Sequence, residues 1–327
     1  MKPKVLHLIS DTRMGGIMSA LKSLTSSSLK EKWDFIIGSS EKLSEDKKDL
    51  FKAIIVHDSR NWQRLLKLLI IKIRNPQAKI VIQEHHYSEG FVQCNVTHKF
   101  RFYLMLKLSY GIADWVIAIS AGQKKWLQEN RLVADKKLVL IQQCRILSDF
   151  LTVPIKPIEQ PLIVGAYGRF HPQKGFDILL EAMKLISDSP IKLRIAGEGD
   201  EELKLKQLAQ GVSNVEFIGR IDNVPEFLQT CDAVAIPSRW EPMGIVGVEA
   251  KAAGRFVIAT EIDGLTEQVY NCGVLVPPQD PVKLAHAIAS IPEQDIEALR
   301  QIGRQSVAGA WEKYLDEWNT FLSQITK

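Results

Sequence analysis

Short runs of β-branched and other apolar residues alternate with longer amphipathic stretches along the whole chain. This alternation is typical of βαβ units, and it predicts parallel sheets flanked by helices. In the first half, the predicted strands are residues 4–9, 34–38, 53–57, 79–84 and 115–119. In the second half, they are residues 162–167, 192–196, 215–218, 233–237, 256–260 and 274–276. The pattern therefore predicts an α/β protein with two Rossmann-like sheets.

Amphipathic stretches of helical length separate these strands. They predict helices at 15–28, 60–73, 98–110, 121–130, 175–187, 200–210, 223–230, 244–253 and 281–290. After residue 292 the chain is predicted to be helical to its end. Between Ala310 and Ile325, apolar side chains recur at the 3.6-residue helical period, so we expect this helix to pack into a hydrophobic groove. These side chains are Trp311, Tyr314, Leu315, Trp318, Phe321 and Leu322.

The strand and helix pattern lapses once, from Ser148 to Pro161. This segment contains Pro154, Pro157 and Pro161, and proline neither continues a helix nor fits a central strand. It is therefore the predicted linker, with one domain at 1–150 and a second beginning at 151. The length of 327 residues suits two domains that each bury their own core.

Composition excludes disordered, collagenous and coiled-coil proteins, because 46% of the residues are hydrophobic and 24% are charged. The formal net charge of +4 conceals an asymmetry. Residues 1–150 carry a net charge of +11, and residues 151–327 carry −7. A basic half points to an anionic partner, although a solvated basic face without any partner explains the same count.

The four cysteines lie far apart and form no C-x-x-C pair, so they indicate reduced thiols in a cytoplasmic protein. We expect no secretory signal, because residues 1–9 run into a strand without an apolar h-region or cleavage site. The most apolar window, Leu65–Ile73, is too short to span a membrane and contains two lysines. We therefore expect a cytoplasmic protein without a metal site or a spanning segment.

Two predicted helices in the basic half mix cations with apolar and aromatic residues, at Arg60–Arg74 and Lys99–Lys107. Interfacial helices have this composition, and it favours contact with an anionic membrane surface. Core helices with basic outer faces have it as well. The sequence leaves open whether the protein rests on the inner face of the plasma membrane.

The most specific chemical signal is the segment Glu241–Ala250, which follows a predicted strand and its turn. Gly244 allows the backbone to approach a ligand, and the first turn of the following helix favours an anion. Glu241 precedes this turn and Glu249 lies about one and a half turns into the helix. The segment therefore predicts a ligand site at the carboxyl end of a strand.

A second signal, Gly165–Gly175, also joins the end of a strand to the start of a helix. Arg169 offers a planar fork of donors and Lys174 a compact positive charge. Together they suit a diphosphate whose negative charge grows as it leaves. Both residues would equally fit an ordinary surface loop.

The order and spacing of five motifs resemble those of GT4-type retaining glycosyltransferases, the glycosyl transferases group 1 family, which have the GT-B fold. The resemblance covers nearly the whole second half. In the first half it is weaker, and depends on Gly15-Gly16 before a helix and on His85 at the end of a strand. The motifs are G-R-x4-K-G (168–175), G-x-G (197–199), F-I-G-R (217–220), P-S-x2-E-P-x-G (237–244) and E-A (249–250).

The resemblance implies two doubly wound Rossmann-like domains that face a cleft. It implies a donor domain at 151–307 and a C-terminal helix, about 308–327, that packs back on the N-terminal domain. The implied enzyme is a metal-independent hexosyltransferase that moves a sugar from a nucleotide-diphosphate sugar, UDP being the commonest case, to an acceptor hydroxyl. Such activity serves bacterial cell-surface polysaccharide or glycolipid synthesis, and no cofactor is expected.

Carried over onto this sequence, the family pattern assigns a role to each matching residue. Arg169 and Lys174 would hold the donor diphosphate, and Glu249 the ribose hydroxyls. Glu241 and the backbone from Met243 to Val246 would contact the donor sugar and phosphates. The implied catalytic residues are Arg169, Lys174, Glu241 and His85, and the implied donor-binding residues are Gly16, Gly168, Arg220, Ile221, Met243, Gly244, Ile245, Val246 and Glu249.

In this assignment Arg220 and Ile221 flank the nucleobase, Gly16 approaches the distal phosphate, and His85 faces the sugar. His86 is the alternative to His85, because adjacent strand residues point to opposite faces. The sequence departs from the family at Gln142–Ile146, where members commonly have Asn-Gly-x-Asp. Met243 also replaces the usual aromatic residue.

Three other functions are compatible with a doubly wound fold. A non-catalytic nucleotide-sugar-binding protein would keep the donor motifs, and a sugar-nucleotide epimerase would share the fold. A dinucleotide-dependent oxidoreductase is disfavoured because Gly197-x-Gly199 is followed by Glu202 in place of the third glycine. The expected partners are a nucleotide sugar and a glycan or lipid-linked acceptor, with no nucleic acid.

Overall fold

A computed structural model describes residues 2–10, 15–39 and 50–326. Residues 11–14, which precede the predicted phosphate-facing Gly15-Gly16, lie outside the described residues, as does Lys327 at the end of the predicted returning helix. The chain divides into two compact units. Unit 1 comprises Met1–Ile146 and Trp311–Lys327, and unit 2 comprises Leu147–Ala310.

Unit 1 contains a parallel sheet of six strands in the order β2-β1-β3-β4-β5-β6. The strands are β1 (Lys4–Leu8), β2 (Asp34–Gly38), β3 (Phe51–Val56), β4 (Lys79–Glu84), β5 (Trp115–Ala118) and β6 (Leu138–Leu140). The helices are α1 (Gly16–Ser26), α2 (Trp62–Arg74), α3 (Glu89–Asn95), α4 (Lys99–Ile112) and α5 (Ala121–Glu129). Strands β2 and β3 lie on opposite sides of β1, so the strand order reverses between β1 and β3.

Unit 2 contains a second parallel sheet, in the order β12-β11-β10-β7-β8-β9. Its strands are β7 (Leu162–Tyr167), β8 (Ile191–Ala196), β9 (Val215–Gly219), β10 (Ala233–Ile236), β11 (Phe256–Thr260) and β12 (Gly273–Val276). Its helices are α6 (Ser148–Leu151), α7 (Phe176–Leu185), α8 (Glu202–Leu208), α9 (Val224–Gln229), α10 (Ile245–Ala252), α11 (Asp263–Val269), α12 (Pro281–Ala289) and α13 (Ile296–Val307). This is the Rossmann strand order, with its reversal between β7 and β10.

The central strands are buried on both faces, as parallel sheets require. Val81 and Ile82 of β4, and Val257 and Ile258 of β11, have no exposed surface. Continuous apolar runs of this kind were sufficient to predict eleven of the strands. The α/β class and the two parallel sheets are confirmed.

Several short elements escaped the sequence prediction. Strand β6 has only three residues, and helices α3 and α11 have seven each, so each is shorter than the stretch of sequence over which its periodicity can be recognised. The predicted linker at 148–161 begins with the one-turn helix α6, because its prolines start only at Pro154. After residue 292 the chain is helical as predicted, in the two helices α13 and α14 (Ala310–Ile325).

The C-terminal helix α14 belongs to unit 1, as predicted for a helix that returns to the N-terminal domain. Tyr314, Trp318, Phe321 and Leu322 are buried. The ring of Trp318 lies 6.1 Å from that of His7 in β1. In the part of the chain that the structure describes, no helix is both long and apolar enough to cross a bilayer.

Candidate functional site

The predicted donor residues of unit 2 gather at the carboxyl edge of its sheet, around the reversal of strand order. Strands β7 and β10 are neighbours there, and the chain leaves them in opposite directions. The loop after β7 carries Lys174, and the loop after β10 carries Glu241. Open α/β sheets bind ligands in the crevice that such a reversal creates.

Lys174 and Glu241 form an ion pair, with Nζ 2.5 Å from Oε2. Both side chains are largely buried, with 21% and 11% of the side-chain surface exposed. The hydroxyl of Ser238 also donates to Oε2, at 3.4 Å. An ammonium group has three donors, so Lys174 can keep Glu241 and still bind an anion. The pair holds the lysine charge at a fixed position.

Gly175 lets the two loops approach each other. Its φ is +65°, and a Cβ there would lie 2.1 Å from the carbonyl oxygen of Pro237. No side chain fits that space. Glycine at this position therefore brings the end of the Lys174 loop against the backbone that leads to Glu241.

Helix α10 begins at Ile245, directly after Gly244, whose φ is +80°. No side chain caps this helix. Gly247 N–H donates to the carbonyl oxygen of Gly244 at 2.9 Å, and the N–H groups of Ile245 and Val246 have no intrahelical acceptor. Gln268 donates to the carbonyl oxygens of Met243 and Gly244 and fixes the entry to the helix. A free helix N-terminus next to Lys174 and Glu241 is a suitable place for a phosphate.

Glu249 lies in α10 as predicted, but it is more enclosed than an exposed helix residue. Only 3% of its surface is accessible. The hydroxyl of Tyr167, at the end of β7, donates to its Oε2 at 2.9 Å. Tyr167 therefore fixes the carboxylate that the family pattern assigns to the ribose.

The remaining predicted residues of unit 2 lie on the same edge of the sheet. Arg169 is exposed and forms no ion pair with any residue that the structure describes. Arg220 follows β9 and is also exposed, pairing with Asp222 and Glu198 at 3.3 and 3.4 Å. Ile221 is half-buried. Arg220 thus reaches the G-x-G segment, because Glu198 is its central residue.

In unit 1, His85 follows β4 and both of its ring nitrogens have partners. Nδ1 lies 3.1 Å from Oε1 of Gln143, and Nε2 lies 3.0 Å from Nδ1 of His57. Burial lowers the pKa of His85 to about 3, so the ring is neutral. Nε2 of His86 forms a hydrogen bond with the carbonyl oxygen of His57, at 3.0 Å. Gly16 is exposed at the start of α1.

Comparison with known families identifies unit 2. Residues 152–306 match the family model described as "Glycosyl transferases group 1". Unit 2 is a glycosyltransferase group 1 domain. The predicted resemblance to glycosyl transferases group 1 is confirmed for these residues, and it argues against a dinucleotide-dependent oxidoreductase.

Two curated relatives each match about half of this chain. An uncharacterized glycosyltransferase from Methanocaldococcus jannaschii is 35% identical over 162 residues, which are 46% of this chain and 44% of the relative. A phosphatidyl-myo-inositol mannosyltransferase from Mycobacterium leprae is 32% identical over 173 residues, 51% of this chain and 45% of the relative. The chain therefore spans less than half the length of these relatives.

Solved structures resemble the whole chain. HepE from Anabaena, in complex with UDP and glucose, has a TM-score of 0.77 at 18% identity, covering 98% of this chain and 99% of its own. Sucrose-phosphate synthase from Thermosynechococcus elongatus has a TM-score of 0.81 at 20% identity, covering 99% of each chain. At these identities the likeness concerns the fold, and the GT-B fold is confirmed.

Sequence reasoning missed the residues that hold the predicted side chains in place. Three of them form hydrogen bonds to predicted residues: Tyr167 to Glu249, Ser238 to Glu241 and Gln143 to His85. Tyr167 directly precedes the Gly168 motif, so its position at the end of a strand was an available signal. Gln143 had no such signal, because β6, the strand that precedes it, was not predicted.

Proposed function

We propose that the protein is a retaining glycosyltransferase that transfers a sugar from a nucleotide-diphosphate sugar to an acceptor hydroxyl. The observation that carries the proposal is the Lys174–Glu241 pair beside the uncapped N-terminus of α10 at the strand reversal of unit 2. A fixed cation and free backbone N–H groups form the binding site that a diphosphate requires.

In this proposal the chemistry depends on stabilising the leaving diphosphate. As the bond to the sugar breaks, negative charge grows on the diphosphate oxygens, where Lys174 and Arg169 supply positive charge. The leaving oxygen takes the proton of the acceptor hydroxyl on the face from which it departs. The new bond then has the configuration of the old one. The reaction needs no side-chain nucleophile, and we propose that it needs no metal.

The other predicted residues would bind and orient the donor. Glu249, fixed by Tyr167, would accept from the ribose, and Arg220 with Ile221 would flank the base. His85 would contribute a neutral ring held in one orientation, since both of its nitrogens are engaged. Nδ1 of His86 forms no hydrogen bond with the described residues, which makes His86 the better candidate for direct contact with a sugar.

Similar proteins support a nucleotide-sugar donor. The HepE structures contain UDP, and one of them UDP-glucose. A starch synthase catalytic domain from Arabidopsis thaliana, with a TM-score of 0.71, is bound to ADP and acarbose. We propose UDP-sugars first and a role in bacterial cell-surface polysaccharide or glycolipid synthesis in the cytoplasm.

A screen of UDP-, GDP- and ADP-sugars by thermal unfolding tests the donor. A ligand at 100 times its Kd stabilises a protein by about 2.7 kcal/mol, so we expect one base to raise the unfolding temperature clearly above the other two. Incubation with that donor alone then separates the alternatives. Epimerised sugar would identify an epimerase, and turnover only with an added acceptor is the result expected for a transferase.

We further propose that unit 1 contacts an anionic membrane. Helix α2 buries Leu68 and Ile71, so it is a core helix, yet it also exposes a row of large apolar side chains. Helix α4, which packs beside α2, exposes a second row. The exposed residues are Trp62, Leu66, Leu69, Ile70 and Ile73 on α2 and Phe100, Leu104 and Leu108 on α4.

Cations lie among these apolar side chains, which is the arrangement that binds anionic lipid. Lys67 and Arg74 on α2, and Lys99, Arg101 and Lys107 on α4, are exposed. Each contributes about 1 kcal/mol near such a surface. A lipid-linked acceptor would be reached from this position.

Sedimentation with vesicles containing phosphatidylglycerol tests the membrane surface. We expect binding at low salt, and we expect Leu66→Asp to abolish it because a carboxylate opposes both the apolar and the electrostatic contact. Leu203→Asp is the matched control, since Leu203 is exposed on α8 of unit 2 (78%, against 61% for Leu66). Wild-type protein that stays in the supernatant, or equal loss in both variants, would contradict the proposal.

A further inference from the structure

Three histidines form a hydrogen-bonded row across the carboxyl edge of the unit 1 sheet. His7 is in β1, His57 follows β3 and His85 follows β4, and these strands are neighbours. Nδ1 of His7 lies 2.9 Å from Nε2 of His57, and Nδ1 of His57 lies 3.0 Å from Nε2 of His85. Neighbouring rings are stacked at 21° and 27°.

Gln143 ends this row and determines its direction. Nε2 of Gln143 donates to the carbonyl oxygen of Gly16 at 3.4 Å, and a carbonyl oxygen can only accept. The amide oxygen Oε1 therefore faces His85 and accepts from its Nδ1–H. Nε2 of His85 therefore carries no proton and accepts from Nδ1–H of His57. In the same way, Nε2 of His57 accepts from Nδ1–H of His7. All three rings carry their proton on Nδ1.

The far end of the row supports this direction. Nε2 of His7 is buried and has no hydrogen-bond partner among the described residues. With the direction of donation that Gln143 determines, Nε2 of His7 carries no proton, so the unpaired atom is an acceptor and not a donor. Reversal of the row would place an N–H donor there, which is unfavourable without an acceptor. Both ends thus require the same tautomers.

Protonation of the histidine row would disrupt its hydrogen bonds. If His57 were cationic, its Nε2–H would face Nδ1 of His7 and force the proton of His7 onto its unpartnered Nε2. Burial also lowers the pKa of His7 to about 3 and that of His57 well below 6.5. The row is therefore neutral and ordered, and it does not conduct protons, because it ends at His7.

We propose that Gln143 is a positioning residue that joins the histidine row to the start of α1. It touches His85 and Gly16, the two residues of unit 1 that the family pattern assigns to the donor. Gln143 is only 5% exposed, so its amide has a fixed orientation. It also lies in Gln142–Ile146, the segment where this sequence departs from the family motif. The inference about the donor depends on the proposed function.

Histidine ring NMR tests the row without any need for activity. With ¹⁵N-labelled protein at pH 7, we expect His7, His57 and His85 to be neutral Nδ1–H tautomers. We expect the backbone amide of Ile17, which shares a peptide group with the Gly16 carbonyl, to shift in both Gln143→Leu and Gln143→Glu. Gln143→Glu keeps an acceptor for His85 but removes the donor to Gly16, so the Nδ1–H tautomers should persist in this variant. They should not persist in Gln143→Leu, which has no acceptor for His85.

Donor kinetics test the positioning role. Loss of one buried hydrogen bond corresponds to about a tenfold change, and we expect both Gln143 variants to raise the KM for UDP-glucose by that factor with kcat changed less. Gln93→Leu is the control, because Gln93 is exposed on α3.

An Nε2–H tautomer at His85 in the wild-type protein, an Ile17 amide that shifts in neither variant, or a KM unchanged in both variants would each overturn the inference. Absence of transfer with every donor and acceptor would instead refute the proposed function. In that case the NMR results still decide whether Gln143 orders the row and holds Gly16.

Discussion

Lys174→Met is expected to lower the rate of sugar transfer by about 100- to 1,000-fold, because removal of one charge-stabilising group at a developing anion has that effect. Lys174 is held by Glu241 and already lies where the diphosphate charge would grow. Methionine keeps the length of the side chain and removes only its charge. The loss should therefore appear in kcat as well as in donor KM.

The measurement is transfer of labelled sugar, accompanied by circular dichroism and urea unfolding of the variant. We expect a folded protein whose free energy of unfolding falls by less than the roughly 3 to 5 kcal/mol of a fully buried pair, because both partners are partly exposed. Lys184→Met is the control, since Lys184 is exposed on α7. Transfer within threefold of wild type would exclude Lys174 from the proposed role.

Acid is expected to destabilise unit 1 selectively through its histidine row. Burial lowers the pKa of His7 from 6.5 to about 3, so between these values the unfolded chain binds a proton that the folded unit does not. Stability is therefore complete above pH 6.5 and is lost as the pH falls toward 3. His7 alone contributes about 1 to 2 kcal/mol per pH unit over that interval.

The surrounding charges act in the same direction. His57 faces His7, His85, His86 and Arg60, each of which lowers its pKa further after burial. The hydrogen bond to Gln143 raises the pKa of His85, but burial lowers it more, and the neighbouring His86 lowers it further. We therefore expect the three histidines to lose their stabilising effect together rather than independently.

Urea titrations followed by tryptophan fluorescence at pH 7.5 and 5.5 measure this effect. Six of the seven tryptophans are in unit 1, the exception being Trp240, so the signal reports mainly that unit. We expect the midpoint for unit 1 to fall at pH 5.5, and to fall equally in the exposed control His98→Gln. A midpoint that is independent of pH would show that the row accepts protons freely.

Most of the α/β framework could be predicted from local pattern. Buried parallel strands such as β4 and β11 contain short apolar runs, Ile80–Ile82 and Phe256–Ala259, and the prediction for each strand was correct at both ends. The failures were elements of three to seven residues, including β6 and α11, since these are shorter than the stretch of sequence over which periodicity can be recognised. The membership of unit 2 in its family was also readable, because its motifs are contiguous and each follows a strand.

Within the candidate site, the sequence identified residues that lie next to their own strands, such as Lys174, Glu241 and Glu249. It did not identify Tyr167 as the partner of Glu249, since 82 residues separate them. The histidine row was equally hidden, because His7, His57 and His85 become neighbours only through the strand order β1-β3-β4.

The sequence by itself determined the two sheets, the linker region and the chemical groups available to a donor, because periodicity and short motifs depend on neighbouring residues. The tertiary structure alone decided that Lys174 contacts Glu241 and that Gln143 joins His85 to Gly16. These contacts depend on which strands lie side by side. Strand order follows from packing the whole chain, and no local pattern of hydrophobic and polar residues encodes it.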